Sequence, residues 1–501
     1  MRGKNAVKNI ISLLLLQVAT VVCGFIVPKL IIEHYGSATN GLVNSITQFL
    51  AYITFLESGF GPVVKSVLYK PIAKNDKETI RKILRSSEKF FRKIGVIFLA
   101  YVVVLCIVYP LIVDAQFDAF FSISLIVVIA LSIFAEYFFG MTYGLFLQAE
   151  QRTYITSRIQ IFTTILAAVA TVVLIEIGAS VQVAKLGAAV MLILKPIILN
   201  IYIKRKYNIH LEKEDDEFVI KQKWDGLAQH IAFVIHSNTD VVVLSMFSTM
   251  KEVSVYSVYM LVVKGIRSVV QAFINGIDAS FGDMLAKKEH DNLQRKFRMY
   301  EYVYHTISSI ILISTILLIT QFVGVYMKGV TDADYTRPVF GILISVAEYI
   351  WAIRLPYSSL TLAAGHFKQT RRGAWVEAIV NISISVALVF SLGIVGVAIG
   401  TVVSTFIRSA EFMVYSSKHI LRREVLKPFV WLILAVVESV AVFALVGALN
   451  LAMPDSYGAW AKNAIVIVAI TTLVVFGLNT ATHKSELKDV KKILKKTIKR
   501  I

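Results

Sequence analysis

Apolar stretches of about 18 to 25 residues recur along the whole of this chain, separated by short charged links. A hydrocarbon core about 30 Å thick takes roughly 20 helical residues to cross, and it offers backbone N–H and C=O groups no water to bond. Stretches of this length therefore have to span as helices. Composition agrees: of the 501 residues 56% are apolar and 17% charged, with a mean hydropathy of +0.69, outside the range of soluble globular domains. The expectation is an all-α polytopic membrane protein with about fourteen transmembrane helices. The second of these is expected at 41–64, the seventh at 227–247, and the eleventh and twelfth joined only by Gly393.

The net charge of +19 would suggest nucleic acid in a soluble protein, but here the basic residues gather in the links and no nucleic-acid partner is expected. With the N-terminus placed in the cytoplasm, 41 of the 52 Lys and Arg fall in cytoplasmic segments and five in outer links, while six lie within helices. That asymmetry puts both termini in the cytoplasm and makes the number of spans even. Arg2, Lys4 and Lys8 followed by an apolar run superficially resemble a secretion signal. No small-x-small cleavage site closes the run, so it is expected to remain as an uncleaved first helix. In the tail, 483–501, Leu487, Val490, Ile493, Leu494 and Ile498 recur at helical spacing among eight basic residues. Such a helix is expected on the anionic inner leaflet. Cys23 and Cys106 lie inside apolar segments, and His230 and His236 lack further ligands nearby, so no disulfide, metal or other cofactor is expected. Gly3-Lys4 lacks the rest of a P-loop, and neither Gly-x-Ser-x-Gly nor His-Glu-x-x-His occurs.

The two halves look related. AKNDKETIRK (73–82) resembles AKKEHDNLQRK (286–296), with offsets of 213 and 214 residues; LQAEQR around Ala149 and LAAGHFK around Ala364 are 215 apart. Matching offsets at matching topological positions argue for duplication. The domains expected are an N-terminal six-helix lobe (1–203), a cytoplasmic inter-lobe link (204–226), a C-terminal six-helix lobe (227–416), two additional helices (417–482) and the basic tail (483–501).

Charges at membrane depth carry the functional information, because each costs roughly 2.5 to 3.5 kcal/mol on insertion scales and must meet water, an opposite charge or a ligand. The cations are Lys29, Lys195, Lys264, Arg267, Arg354 and Arg408; acids at comparable depth include Glu57, Glu136, Asp240, Glu348, Glu377 and Glu438. In the eighth helix Lys264, Arg267, Gln271, Asn275 and Asp278 follow at steps of 3, 4, 4 and 3, which aligns them on one face of an otherwise apolar helix. Such a stripe reads as the wall of a hydrated cavity, or else Lys264 and Arg267 pair with acids on neighbouring helices. Gln229, His236 and Asp240 share a face of the seventh helix. Asp240 could pair with Lys264 or Arg267, or bind a coupling proton or sodium ion; Glu57 and Glu348 are the other candidates for ion coupling or charge pairing.

The segments YGSATNGLVNSITQFLAYITFLESGFGPVV (35–64), LQAEQRTYITSRI and NTDVVVLSMFSTMKEVSVYSVYMLV (238–262) resemble the Wzx-type polysaccharide and oligosaccharide flippases. These are bacterial members of the superfamily that includes the multidrug and toxic compound extrusion transporters. The resemblance implies two six-helix lobes around a partly cationic cavity, two extra C-terminal helices, and a place in the bacterial cytoplasmic membrane. It also implies transport of an undecaprenyl-diphosphate-linked repeat unit to the outer leaflet for capsule, exopolysaccharide or O-antigen synthesis, with the polysaccharide polymerase and chain-length machinery as partners. The implied cationic lumen carries over best to Lys264 and Arg267; Lys195, Arg354 and Lys29 rest on depth alone. A flippase for lipid II or a teichoic-acid precursor shares the same anchor. A multidrug antiporter would favour an anionic cavity, and a membrane glycosyltransferase or polymerase needs a larger outer loop than the dozen or so residues found here.

Overall fold

The computed structural model describes residues 2–57, 60–113, 117–207, 227–275 and 278–498, and among these the chain is all helical apart from turns and short links. It divides into two compact units, Met1–Ser257 and Val258–Ile501. The expected inter-lobe link, 204–226, lies outside the described residues from 208 onward.

The first unit contains α1 (Arg2–Tyr35), α2 (Ser37–Ala51), α3 (Thr54–Glu57), α4 (Phe60–Lys74), α5 (Lys77–Ile112), α6 (Ala119–Ala135), α7 (Met141–Ala149), α8 (Thr153–Glu176), α9 (Val181–Tyr207) and α10 (Leu227–Phe247), together with the start of α11 (Met250–Asn275). Long α1 runs against α8 and α2, α9 against α8 and α6, and α10 against α2. The most apolar window of α1 is only 6% buried, and Leu13, Leu14, Val18, Val22 and Ile26 face outward, as a lipid-facing helix requires. The opening of α11 lies close against α2: a Cβ on Gly41 would stand 1.8 Å from the Met250 carbonyl oxygen, and the Asn40 amide donates to Ser254 Oγ at 2.7 Å. Only glycine fits at Gly41.

The second unit holds the rest of α11 and α12 (Asp278–Ala286), α13 (His290–Tyr326), α14 (Pro338–Ala363), α15 (Phe367–Leu392), α16 (Ile394–His419), α17 (Phe429–Ala448), α18 (Tyr457–Thr482) and α19 (Lys484–Ile498). Here α13 is central, with α14, α17, α18 and α19 packed around it. Gly393, at φ +54°, is the whole connection between α15 and α16. Gly396 and Gly400 follow one turn apart, and a Cβ on either would come within 2.5 Å of Leu388 O or Ser385 Oγ. The small-residue face thus lets two antiparallel helices touch backbone to side chain directly after a one-residue turn.

Twelve helices among the described residues are long and apolar enough to cross a membrane. The two expected segments outside that set are instructive. The second is not one helix: α2 ends at Ala51 and α3 begins at Thr54, with a turn at Tyr52 and Ile53, and Pro62 falls in the first turn of α4, where its missing N–H leaves no bond unmade. The seventh, α10, is apolar over Val234–Phe247, and most side chains before Val234 lie outside the described residues.

Element order repeats along the chain. α2 and α11 begin 213 residues apart, as do α5 and α13, and α9 and α16, while α8 and α15 begin 214 apart. Each copy contains an exceptionally long helix, of 36 or 37 residues. At about 1.5 Å per residue each reaches roughly 54 Å, so the charged first turns project beyond the hydrocarbon. Asp76 caps α5 by accepting from Thr79 N at 3.0 Å, and these bonds to Thr79 hold its carboxyl below the usual range.

In the tail helix α19, Lys484, Lys488, Lys491 and Lys492 are exposed, whereas Leu487 and Val490 pack against Tyr302, Val303, Trp431 and Leu434. His483 stacks on Trp431 at 4.3 Å between ring centroids. This part of the apolar face therefore meets protein; the side chains of Ile493, Leu494 and Ile498 lie outside the described residues.

Candidate functional site

Three side chains of the expected α11 stripe are described. Lys264 is exposed, and Arg267 and Gln271 are half-buried one and two turns further on; the side chains of Asn275, which closes α11, and of Asp278 lie outside the described residues. Arg267 grips Glu348 of α14 through Nε at 2.8 and 3.1 Å and Nη2 at 2.6 Å, and its guanidinium lies over the Trp351 ring at 4.5 Å. The pair is asymmetric, since the Glu348 side chain is 4% exposed and the Arg267 side chain 38%. Glu348 thus orients Arg267 and cancels its charge, while the planar cation stays accessible from one side. Lys264, one turn earlier, has no carboxylate within ion-pairing distance among the described residues. Arg267 is thus paired with Glu348, while the neighbouring Lys264 adds a second positive charge to the same face.

Asp240 is 5% exposed in α10 and accepts a hydrogen bond from the Tyr256 hydroxyl at 3.0 Å, so it meets the start of α11 through a tyrosine. Burial of the neighbouring residues explains this outcome: Tyr256 and Tyr259 both point inward from the first turns of α11.

The other deep cations are neutralised. Arg354 donates to Glu377 at 2.8 Å with both side chains nearly buried, and Arg408 spans Glu377 at 3.6 Å, Glu411 at 2.5 Å and the Thr370 carbonyl at 2.7 Å. Two arginines and two glutamates make a balanced network that ties α14, α15 and α16 together. Gly373 makes room for it, because a Cβ there would stand 1.5 Å from Glu411 Oε2. Arg354 is therefore placed as a structural cation rather than beside Lys264. Lys29 lies 3.7 Å from Glu33, one turn away in α1.

In the first unit, Lys195 donates to Glu136 at 2.9 Å. Glu136 opens a π-helical turn, Glu136–Gly140, that joins α6 to α7, and such turns frequently mark functional positions. Glu57, at the end of α3, faces Tyr137 and lies within electrostatic reach of Glu136. Glu57, Glu136 and Lys195 form one cluster with an acid in excess, opposite in sign to the α11 stripe. No sequence pattern pointed to Trp351, Glu411 or Gly373; only the i, i+3 spacing of Arg408 and Glu411 could have revealed part of the network.

No known protein-family model matches the chain, and no curated protein matches it in sequence. Solved structures do match. The lipid II flippase MurJ in its inward closed conformation aligns with a TM-score of 0.70 over 95% of this chain and 100% of that one, at 14% identity. An inward-facing multidrug resistance MATE family transporter of the MOP superfamily aligns at 0.59 over 81% and 94%, also at 14% identity. A MOP superfamily transporter from Pyrococcus furiosus, described as having a binding pocket of reversed polarity, aligns at 0.55 over 84% and 96%, at 12% identity. At such identities the likeness is one of fold. The chain is a multi-pass membrane protein with the MOP-superfamily transporter fold.

Proposed function

We propose that the chain is a flippase that carries an undecaprenyl-diphosphate-linked oligosaccharide repeat unit across the cytoplasmic membrane, for capsule, exopolysaccharide or O-antigen assembly, by alternating access. One observation carries this reading: Lys264 and Arg267 sit one turn apart on α11, with Arg267 held by Glu348 and Lys264 beside it on the same face. A diphosphate is the ligand such a face suits. Arg267, held by Glu348 and Trp351, offers planar donors for phosphate oxygens, and Lys264 offers a mobile point charge. Gln271 continues the stripe with a neutral donor and acceptor of the kind that binds sugar hydroxyls, and the helical spacing of the sequence sets Asn275 on the same face. The polyprenyl tail stays in lipid.

The resemblance to Wzx-type flippases supports the oligosaccharide-linked substrate, and the likeness to MurJ supports a second reading with the same anchor, lipid II or a teichoic-acid precursor. A drug antiporter is disfavoured because a net positive face repels cationic drugs. Substituting both residues (Lys264→Ala with Arg267→Ala) should abolish export of repeat units in cells at an unchanged protein level; full export by that variant removes the role assigned here. Supplying proteoliposomes of the intact chain with lipid II or with an oligosaccharide-linked diphosphate separates the two substrates.

A further inference from the structure

α17 is one of the two helices added to the repeated lobes, and its twenty residues are apolar except for Glu438 and Ser439. Glu438 is the tenth of them, about 14 Å from the nearer helix end at ~1.5 Å per residue, which places it at the centre of the span. Its side chain is buried, with 1% of the residue exposed. Ser309 from α13, Tyr349 from α14 and Asn479 from α18 all face its carboxyl group. Four helices therefore converge on one acid.

The convergence leaves bonding capacity unused. The Tyr349 hydroxyl and Ser309 Oγ hydrogen-bond to each other, and neither carboxylate oxygen of Glu438 completes a hydrogen bond. Asn479 is 0% exposed, and both its amide nitrogen and its amide oxygen are likewise unpaired. No cation faces Glu438 from any of these helices. His305, one turn before Ser309, is stacked on Trp431 with the Tyr357 ring tilted at 6.2 Å from it, and Glu348, beside Tyr349, is bound to Arg267. A carboxylate at this depth, with polar groups facing it but no completed hydrogen bond and no counter-charge from these helices, is unfavourable, and intramembrane acids of this kind mark ion or proton sites.

We propose that Glu438, with Ser309, Tyr349 and Asn479, forms a binding site for one monovalent cation, a proton or a sodium ion. On the flippase reading, on which only this last step rests, it is where an ion gradient acts on the transporter. A proton would turn Glu438 into a donor for Asn479 Oδ1. A sodium ion would draw oxygens from the carboxylate, both hydroxyls and the same amide, the hard oxygen set that such ions take. Either occupant removes the charge and favours the state in which α17 and α18 close on α13 and α14; loss of the occupant favours a state that admits water to the carboxylate.

The test uses the purified full chain without transport substrate, so a failure here and a failure of the flippase reading are separable. Unfolding temperature is followed from about pH 5 to about pH 9 in sodium chloride and in N-methylglucamine chloride at equal ionic strength. The proton arm predicts that the wild-type chain gains stability as pH falls, relative to Glu438→Gln, which fixes the neutral form. The sodium arm predicts a sodium-dependent rise at constant pH that Glu438→Gln abolishes. Ser309→Ala and Asn479→Ala should shift the pH midpoint or raise the half-saturating sodium concentration, and they carry the test if the Gln variant does not fold. Identical responses of all variants to both variables, or no response in the wild-type chain, overturn the proposal.

Discussion

Arg267 and Glu348 meet edge to edge, with contacts of 2.6 to 3.1 Å, 81 residues apart in sequence and on different helices. Because the acid is buried and the base is not, removing each should have a different effect. Loss of the acid leaves Arg267 and Lys264 repelling each other across one helical turn, whereas loss of the base leaves a buried unpaired carboxylate.

Arg267→Ala is therefore expected to destabilise more than Glu348→Gln, by a margin on the order of 1 to 3 kcal/mol, since an uncompensated buried charge is the larger penalty. Thermal unfolding of the two single variants and of the double variant measures it. A double variant less stable than Arg267→Ala alone would contradict the pairing.

Gly373→Ala is expected to break the Arg354, Glu377, Arg408 and Glu411 network, because the new Cβ would overlap Glu411 Oε2 and crowd Arg408 Nη1 at 2.3 Å. Overpacking of this kind costs about 1 to 3 kcal/mol, and the unfolding temperature should drop accordingly. Ala at Gly265, around which no such crowding exists, is the control and should leave the unfolding temperature near that of the wild-type chain.

Docking of α19 should weaken at acid pH. Burial against Trp431 pushes the His483 imidazole below its ordinary value of 6.5, with Glu486 and Glu301 opposing less strongly. A lowered folded-state value means that the docked helix holds the neutral ring. Its stabilisation is full above pH 6.5 and is lost as pH falls from there. Hydrogen exchange over 484–492 should accelerate on acidification in the wild-type chain. His483→Phe, which keeps the stacking without the titration, should remove that acceleration, and an unchanged acid response in this variant would exclude His483 as its source.

These relationships mark what sequence alone could convey. Hydropathy located the spans, and the recurrence of AKNDKETIRK as AKKEHDNLQRK located the duplication that α5 and α13 embody. Helical spacing placed Lys264, Arg267 and Gln271 on one face because that depends only on the turn of the helix. Which acid each cation meets was not legible: Glu348 is 81 residues from Arg267 and Glu136 is 59 from Lys195, distances at which no local periodicity applies. The break of the second segment at Tyr52 and Ile53 was hidden for a related reason, since neither residue is a helix breaker and tertiary packing overrides their propensity.

On the reading proposed here Lys264 stands in a hydrated passage, while other exposed residues of the same helix face lipid. Replacing Cys23 and Cys106 with Ala and placing single cysteines at Lys264 or at Val269, which is 50% exposed, allows a direct comparison of reactivity with a charged, water-soluble thiosulfonate. Reaction requires the thiolate and so requires water, and the account predicts modification at position 264 roughly tenfold or more faster than at 269, slowed by added undecaprenyl diphosphate. Equal, slow modification at both positions would place Lys264 against lipid and contradict the account.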